Sequence, residues 1–301
     1  IEIQKYKKYP FENNHEVDAA VVSIGNPELW SHNIRYVRDS LLLKEDNQKG
    51  NLLKNIDYYN IMPEVDEDDQ DELLSKIDLA SVNLHHAKKI ILIGNGLESY
   101  CGLLNKFNQL SQEYQTEHNN NYSIKIQGII QVVNKNEINY YNSLTLGVSY
   151  VALDKNIEDI RPKAIFVCCI DPRFINPTIE HIEEIKRKNY ITDSVLLTYP
   201  GSSLCALENK NHYLNRYIGQ LVKKYGINYL HLINHEDCGG YKAITKLTGQ
   251  DQIKQQLVDM DTLKKRMQST QENLQVKCTQ MRIVPKNENN DKDLIYFQPI
   301  N

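Results

Sequence analysis

The sequence predicts an α/β protein with a mainly parallel β-sheet flanked by helices, and three observations carry that prediction. Short apolar runs rich in β-branched residues alternate with stretches whose apolar residues recur every three or four positions, the pattern of βαβ units. Of the 301 residues, 41% are hydrophobic and 25% charged, enough to bury a core and too apolar for overall disorder. The order of these elements also repeats once along nearly the whole chain.

In order, Ala19–Ile24, Lys89–Ile93, Ala164–Cys169, Ser194–Tyr199 and Tyr229–Asn234 are expected as strands. Each is almost continuously apolar, as a strand covered on both faces should be. Helices are expected over Asp71–His86, Leu97–Glu117, Thr178–Lys188, Tyr213–Lys224 and Gln252–Gln271. The acidic run Glu64–Glu72 reads as a solvated linker that also places negative charge at the start of the next helix. Asn-rich patches at His118–Asn121 and Lys286–Asp291 read as loops.

The repeat is visible in matching segments. Ala20-Val21-Val22-Ser23-Ile24-Gly25-Asn26-Pro27 resembles Phe166-Val167-Cys168-Cys169-Ile170-Asp171-Pro172 with one residue extra. Ile91-Leu92-Ile93-Gly94-Asn95 resembles Leu232-Ile233-Asn234-His235. A long helix, an extended segment (Ser123–Val133 or Gln275–Val284) and a last strand (near Leu144–Leu153 or Leu294–Ile300) follow in each half. The offset of about 140 to 150 residues predicts two tandem halves, 1–156 and 157–301.

Charge and composition exclude several classes. A net charge of −4 gives no reason to expect a nucleic-acid or anionic-membrane partner. No apolar run approaches the roughly 18 residues of a membrane-spanning helix. The opening IEIQKYKKYPFENN has no apolar core of a secretory signal. Six cysteines in a chain this long are too few for a disulfide scaffold, so a reducing compartment is expected, where close Cys and His residues are more often ligands or nucleophiles. That compartment is the cytoplasm, or the mitochondrial matrix where the missing initiator Met reflects a cleaved presequence.

The chemistry concentrates in the second half. Cys169-Ile170-Asp171-Pro172-Arg173 stands at the end of one predicted strand and His235-Glu236-Asp237-Cys238-Gly239-Gly240 at the end of another. Ligands of parallel sheets bind in the crevice beyond those strand ends. Two thiolates and one imidazole make a three-ligand zinc site with a fourth position open, the catalytic pattern. Cys238 and its two glycines open a helix whose first amides favour a thiolate. Asp171 and Arg173, at i and i+2 of an extended segment, point to one side and pair, which keeps Asp171 ionised and aims it at metal-bound water. Cys101, Cys168, Cys205 and Cys278 read as structural, and Gly94-Asn95-Gly96, with Ser99 at the third glycine position, is too weak for a dinucleotide loop.

Cys169-x-Asp171-x-Arg173 followed by His235-x-x-Cys238-Gly239 resembles the signature of β-class carbonic anhydrases, with a good match over about residues 160–245. The resemblance implies a Zn2+-dependent lyase hydrating carbon dioxide to bicarbonate by metal-bound hydroxide. It places the metal on Cys169, His235 and Cys238, the catalytic dyad at Asp171 and Arg173, and the substrate side at Gly201, Ser202 and Gly239. Pro172 replaces the small polar residue usual between the dyad partners. Tyr199-Pro200-Gly201-Ser202-Ser203 stands where the family carries an Arg-Asn-Ala-Gly-type loop, so the branch is divergent.

Because enzymes of this family work as dimers with the pocket at the interface, the repeat implies a fused pseudo-dimer. Its first half would be degenerate, with Ser23, Asn95 and Glu98 at the ligand positions, a set unsuited to zinc. Partners then reduce to carbon dioxide or bicarbonate and a homo-oligomer or larger assembly. Two alternatives stay open: a zinc-retaining structural or assembly subunit without turnover, and a hydrolase of carbonyl sulfide or carbon disulfide.

Overall fold

The computed structural model describes residues 6–11, 18–42, 56–61, 89–95, 125–142, 147–152, 155–207, 213–286 and 292–300. The helices expected at Asp71–His86 and Leu97–Glu117, the acidic linker and the His118–Asn121 loop lie outside the described residues. The chain divides into two compact units, one of His15–Ile160 and one of Ile1–Asn14 with Arg161–Asn301. The first strand, β1 (Lys8–Pro10), therefore belongs to the later unit, which nothing in its three residues announces.

The His15–Ile160 unit holds β2 (Ala19–Ile24), α1 (Trp30–Tyr36, entered through a tight turn at Pro27–Leu29), β3 (Ile56–Ile61), β4 (Lys89–Asn95), β5 (Lys125–Val133), β6 (Glu137–Asn142) and β7 (Gly147–Ala152). Its sheet runs β3-β2-β4-β5-β6-β7. The first four strands in that order are parallel, and β6 and β7 are antiparallel additions. Strand β3 escapes the apolar-run criterion because Asp57 and Asn60 are buried within it. They survive burial as hydrogen-bond acceptors: Tyr59 donates to Asp57 at 3.1 Å and Tyr58 to Asn60 at 3.1 Å.

The other unit adds β8 (Ala164–Cys168), α2 (Pro172–Lys188), β9 (Ser194–Thr198), α3 (Ser203–Leu207), α4 (Tyr213–Tyr225), β10 (Tyr229–His235), α5 (Gly239–Thr245), α6 (Gly249–Thr270), β11 (Gln275–Val284) and β12 (Leu294–Ile300). The sheet order is β1-β12-β11-β10-β8-β9. Strands β9, β8, β10 and β11 are parallel; β12 and β1 are antiparallel. The architecture is thus α/β with mixed, mostly parallel sheets. All residues of β8 and β9 are buried, which is why their sequences read as nearly continuous apolar runs, with only Ser194 and Thr198 polar at the ends of β9. Helix α2 starts earlier than its apolar spacing suggests, because Asp171 caps it by accepting from the Arg173 amide at 3.1 Å and Pro172 takes the first helical position. Lys186, Arg187 and Lys188 complement the negative end of its dipole.

Five strands of each unit share one order and one set of directions, β3-β2-β4-β5-β6 against β9-β8-β10-β11-β12. The ladders start alike, Ala19 opposite Ile56 and Ala164 opposite Ser194. That register corrects the sequence alignment. No residue is extra, Ser23 falls at the place of Cys168, Ile24 at that of Cys169, and Asn26-Pro27 at that of Asp171-Pro172. Packing repeats as well. Gln131, opposite Asn95 in its ladder, donates to Asn33 of α1 at 2.7 Å; Met281, opposite His235, accepts from Thr178 of α2 at 3.4 Å. One position further across the sheet, Tyr36 stacks on Tyr140 with centroids 3.8 Å apart, and His181 stacks on Phe297 at 3.8 Å. The strand at the place of β12 is β6, not the expected Leu144–Leu153 segment, which supplies the sixth strand β7. In the other unit β1 occupies that sixth place.

Candidate metal centre

Strands β8 and β10 are neighbours in one parallel ladder, and both end at the same edge of the sheet. That topology alone brings Cys169, one residue past β8, to His235, the last residue of β10. Cys238 follows after a sharp turn in which Asp237 takes a positive φ of 55°, reversing the chain toward the sheet. Among the described residues Cys169, His235 and Cys238 form a buried group with ligand atoms all within 4.8 Å of one another.

The donor set fits a tetrahedral ion. The two sulfurs are 3.6 Å apart, and Zn–S bonds of 2.3 Å at tetrahedral angles would separate them by about 3.8 Å. His235 Nδ1 is 2.8 Å from the Glu236 carbonyl, which can only accept, so the proton sits on Nδ1. Nε2 is thereby left as a bare acceptor, buried and without a hydrogen-bond partner. An orphaned imidazole nitrogen beside two thiols is a standing cost in an apolar interior unless a cation takes it up. Phe174 stacks on the same ring, centroids 4.1 Å apart, and holds its plane. Burial pushes the Cys169 thiol well above its ordinary value, with the neighbouring Cys238 adding to the rise. For His235, burial alone works downward, yet its interactions with the neighbouring Cys169 sulfur and the Asp171 carboxylate outweigh it and raise the pKa.

Asp171 and Arg173 meet as expected, though not on an extended segment. Asp171 is the N-cap of α2 and Arg173 stands in its first turn, a geometry set by Pro172. Arg173 Nε donates to both carboxylate oxygens at 2.9 and 3.1 Å, and Nη2 donates to Oδ2 at 2.6 Å. Its remaining donors reach the next turn: Nη1 meets Asp237 Oδ2 at 3.0 Å and Nη2 the Asp237 carbonyl at 3.0 Å. Burial opposes the charged guanidinium, but these acidic partners hold its pKa above the usual arginine value. One guanidinium thus ties the Cys169 side of the centre to the Cys238 side.

The residues expected on the substrate side have these surroundings. Ser202, at φ 49°, donates to the strand carbonyls of Ile233 at 3.0 Å and Val167 at 3.4 Å. Gly201 is buried at φ 76°, and Gly239 is the half-buried first residue of α5. Cys238 is the N-cap of α5, at the positive end of its dipole as expected, and its sulfur makes no cap hydrogen bond there. In the other unit, Ser23 is buried and accepts from Asn33 at 2.9 Å; the Asn95 side chain and Glu98 lie outside the described residues. Cys168 and Cys278 are buried free thiols, and Cys101 lies outside the described residues.

Two residues that the sequence reading passed over complete the surroundings. Gln252 and Gln256, one turn apart on α6, are fully buried. Buried glutamines among the expected apolar positions of a helix are the signal that could have found them. No known family model matches the chain, and no curated protein matches it. Among the described residues no helix is long and apolar enough to cross a membrane.

Proposed function

We propose that the protein is a zinc enzyme that hydrates carbon dioxide to bicarbonate, as the resemblance to β-class carbonic anhydrases implies. Cys169, His235 and Cys238 would hold the ion. The supporting observation is that Asp171, two residues after Cys169, is engaged through both oxygens by Arg173 and stands outside the ligand group. Three protein ligands with the fourth position left over is the arrangement of catalytic sites. Zinc in such a site lowers the pKa of a bound water to about 7 and so supplies hydroxide at neutral pH. Asp171 presents a hydrogen-bond acceptor of fixed orientation, Arg173 keeps it fixed, and Phe174 and the Glu236 carbonyl hold the imidazole plane and tautomer.

The same reading makes the two units copies of one ancestral half. Shared strand order, the matched ladder starts and the repeated helix-to-sheet contacts support it. In the first copy Ile24 stands at the position of Cys169, so a soft three-ligand set is lost there.

A second reading, a zinc-retaining subunit without turnover, draws on the 199–203 loop. Ser202 is bonded to strand carbonyls, and the Ser203 hydroxyl is shared with Asn234 at 3.1 Å and Tyr241 at 3.2 Å. Metal content and stopped-flow hydration, with carbonyl sulfide and carbon disulfide as further substrates, separate these readings. One zinc per chain is expected, with fast carbon dioxide hydration that Cys169→Ser abolishes together with the metal. Zinc without hydration would favour the subunit, and two zincs per chain would overturn the single-site reading.

A further inference from the structure

Resting on the metal reading above, we propose that Gln252 and Gln256 are positioning residues of the centre, fixing the backbone of two of its three ligands from a separate helix. The turn from His235 to Cys238 carries four carbonyls, and each has a defined donor. Gln256 Nε2 donates to the His235 carbonyl at 2.9 Å. His235 Nδ1 takes the Glu236 carbonyl at 2.8 Å, and Arg173 the Asp237 carbonyl at 3.0 Å. Gln252 Nε2 donates to the Cys238 carbonyl at 3.1 Å, while its Oε1 accepts the Cys238 amide at 2.8 Å.

Gln252 therefore grips Cys238 as a neighbouring strand would, through donor and acceptor at once. The carboxamide matches the peptide group in both polarity and spacing, so the two bonds fix the rotation of the Cys238 backbone and with it the direction of its Cα–Cβ bond. A third bond, Nε2 to the Leu247 carbonyl at 3.1 Å, holds the carboxamide itself. Gln256 is held in turn by Gln280 of β11, whose Nε2 donates to its Oε1 at 2.8 Å. Spacing of i and i+4 places both glutamines on one face of α6, against the turn. The path from β11 through Gln280 and Gln256 to His235, and from α6 through Gln252 to Cys238, is made of fully buried amides.

A helix needs no such residues for its own packing. Leucine or methionine at both places would bury more apolar surface, at the cost of stripping the Cys238 amide and the His235 carbonyl of these partners and leaving the Cys238 carbonyl with the Lys242 amide at 3.0 Å. Hydrogen bonds to the groups that carry metal ligands act on metal affinity, and losing one typically costs about 10- to 100-fold.

The test uses the full chain, stripped of metal and titrated with cobalt(II) alone under chelator competition well below its melting temperature. Wild type is expected to show thiolate-to-cobalt charge-transfer and tetrahedral ligand-field bands. Gln252→Met and Gln256→Met, matched in length, are expected to bind cobalt about 10- to 100-fold more weakly, with altered bands. Unchanged affinity and spectrum in both, even with a lowered melting temperature, would overturn the proposal and leave the metal reading standing. Absence of the sulfur-to-cobalt band in wild type would instead overturn the metal reading. Should a methionine variant not fold, Gln280→Met, which frees the Gln256 carboxamide and also removes a longer bond to the Met281 carbonyl at 3.4 Å, is expected to give a smaller loss of affinity; no loss there would overturn the Gln256 arm.

Discussion

Arg173 bridges Asp171 and Asp237 beside the candidate centre, and its worth lies in what its removal strands. Its side chain and that of Asp171 are 4% and 3% exposed, so neither charge has water to fall back on. Such a buried pair need not stabilise the fold relative to apolar residues, since desolvating both ions offsets much of their attraction. Removing one member is a different matter. Arg173→Met should cost about 3–5 kcal/mol in urea unfolding, because the Asp171 carboxylate stays behind in the interior. Adding Asp171→Asn to that variant should recover part of the loss, since asparagine still accepts the Arg173-position amide and keeps the α2 cap. A double variant as unstable as the sum of the two singles would show that the pair is not coupled.

At the scale of elements, the centre depends on how closely the Pro200–Gly201 turn approaches α5. A Cβ on Gly240 would lie 2.5 Å from the Gly201 nitrogen and 2.8 Å from the Pro200 carbonyl carbon, both backbone atoms that cannot rotate away. Gly240→Ala should therefore push the loop and helix apart and cost about 1–3 kcal/mol, measured by urea unfolding. This contact also marks where sequence reading stops. The parallel strands were legible because burial on both faces leaves continuous apolar runs, and the Cys169–His235–Cys238 cluster because strand ends of one sheet share one edge. Strand β3 was not, since its buried Asp57 and Asn60 break the apolar run and are rescued by Tyr59 and Tyr58 of the same strand, a pairing that an apolar-run criterion does not read. Nor was the role of Gln252, whose partner is a backbone group that no side-chain motif records. The cap at Asp171 was missed for a simpler reason: Cys-x-Asp-x-Arg reads as an extended segment until Pro172 is recognised as a first helical residue.

Across the whole molecule, the placement of β1 ties the N-terminal segment to the chemistry of the far half of the chain. Phe11 packs on Phe174 with centroids 5.1 Å apart, and Phe174 stacks on His235 at 4.1 Å, so two ring contacts lead from the N-terminal segment to His235 of the candidate metal centre. Tyr9, also buried, meets Phe297 edge-on at 5.3 Å, on the strand that β1 borders. A chain starting at residue 15, where the first compact unit begins, loses all of this. Burial of Phe11 alone is worth about 1.5–3 kcal/mol, and the exposed edge of β12 would lose its pairing partner as well. The expected outcome is a lower melting temperature together with weaker zinc binding, because Phe174 can then swing away from the imidazole it holds. Phe11→Ala in the full chain separates the two effects: if β1 serves only to cover a sheet edge, the variant should melt earlier with unchanged zinc affinity, whereas a ring relay to His235 requires the affinity to fall with it.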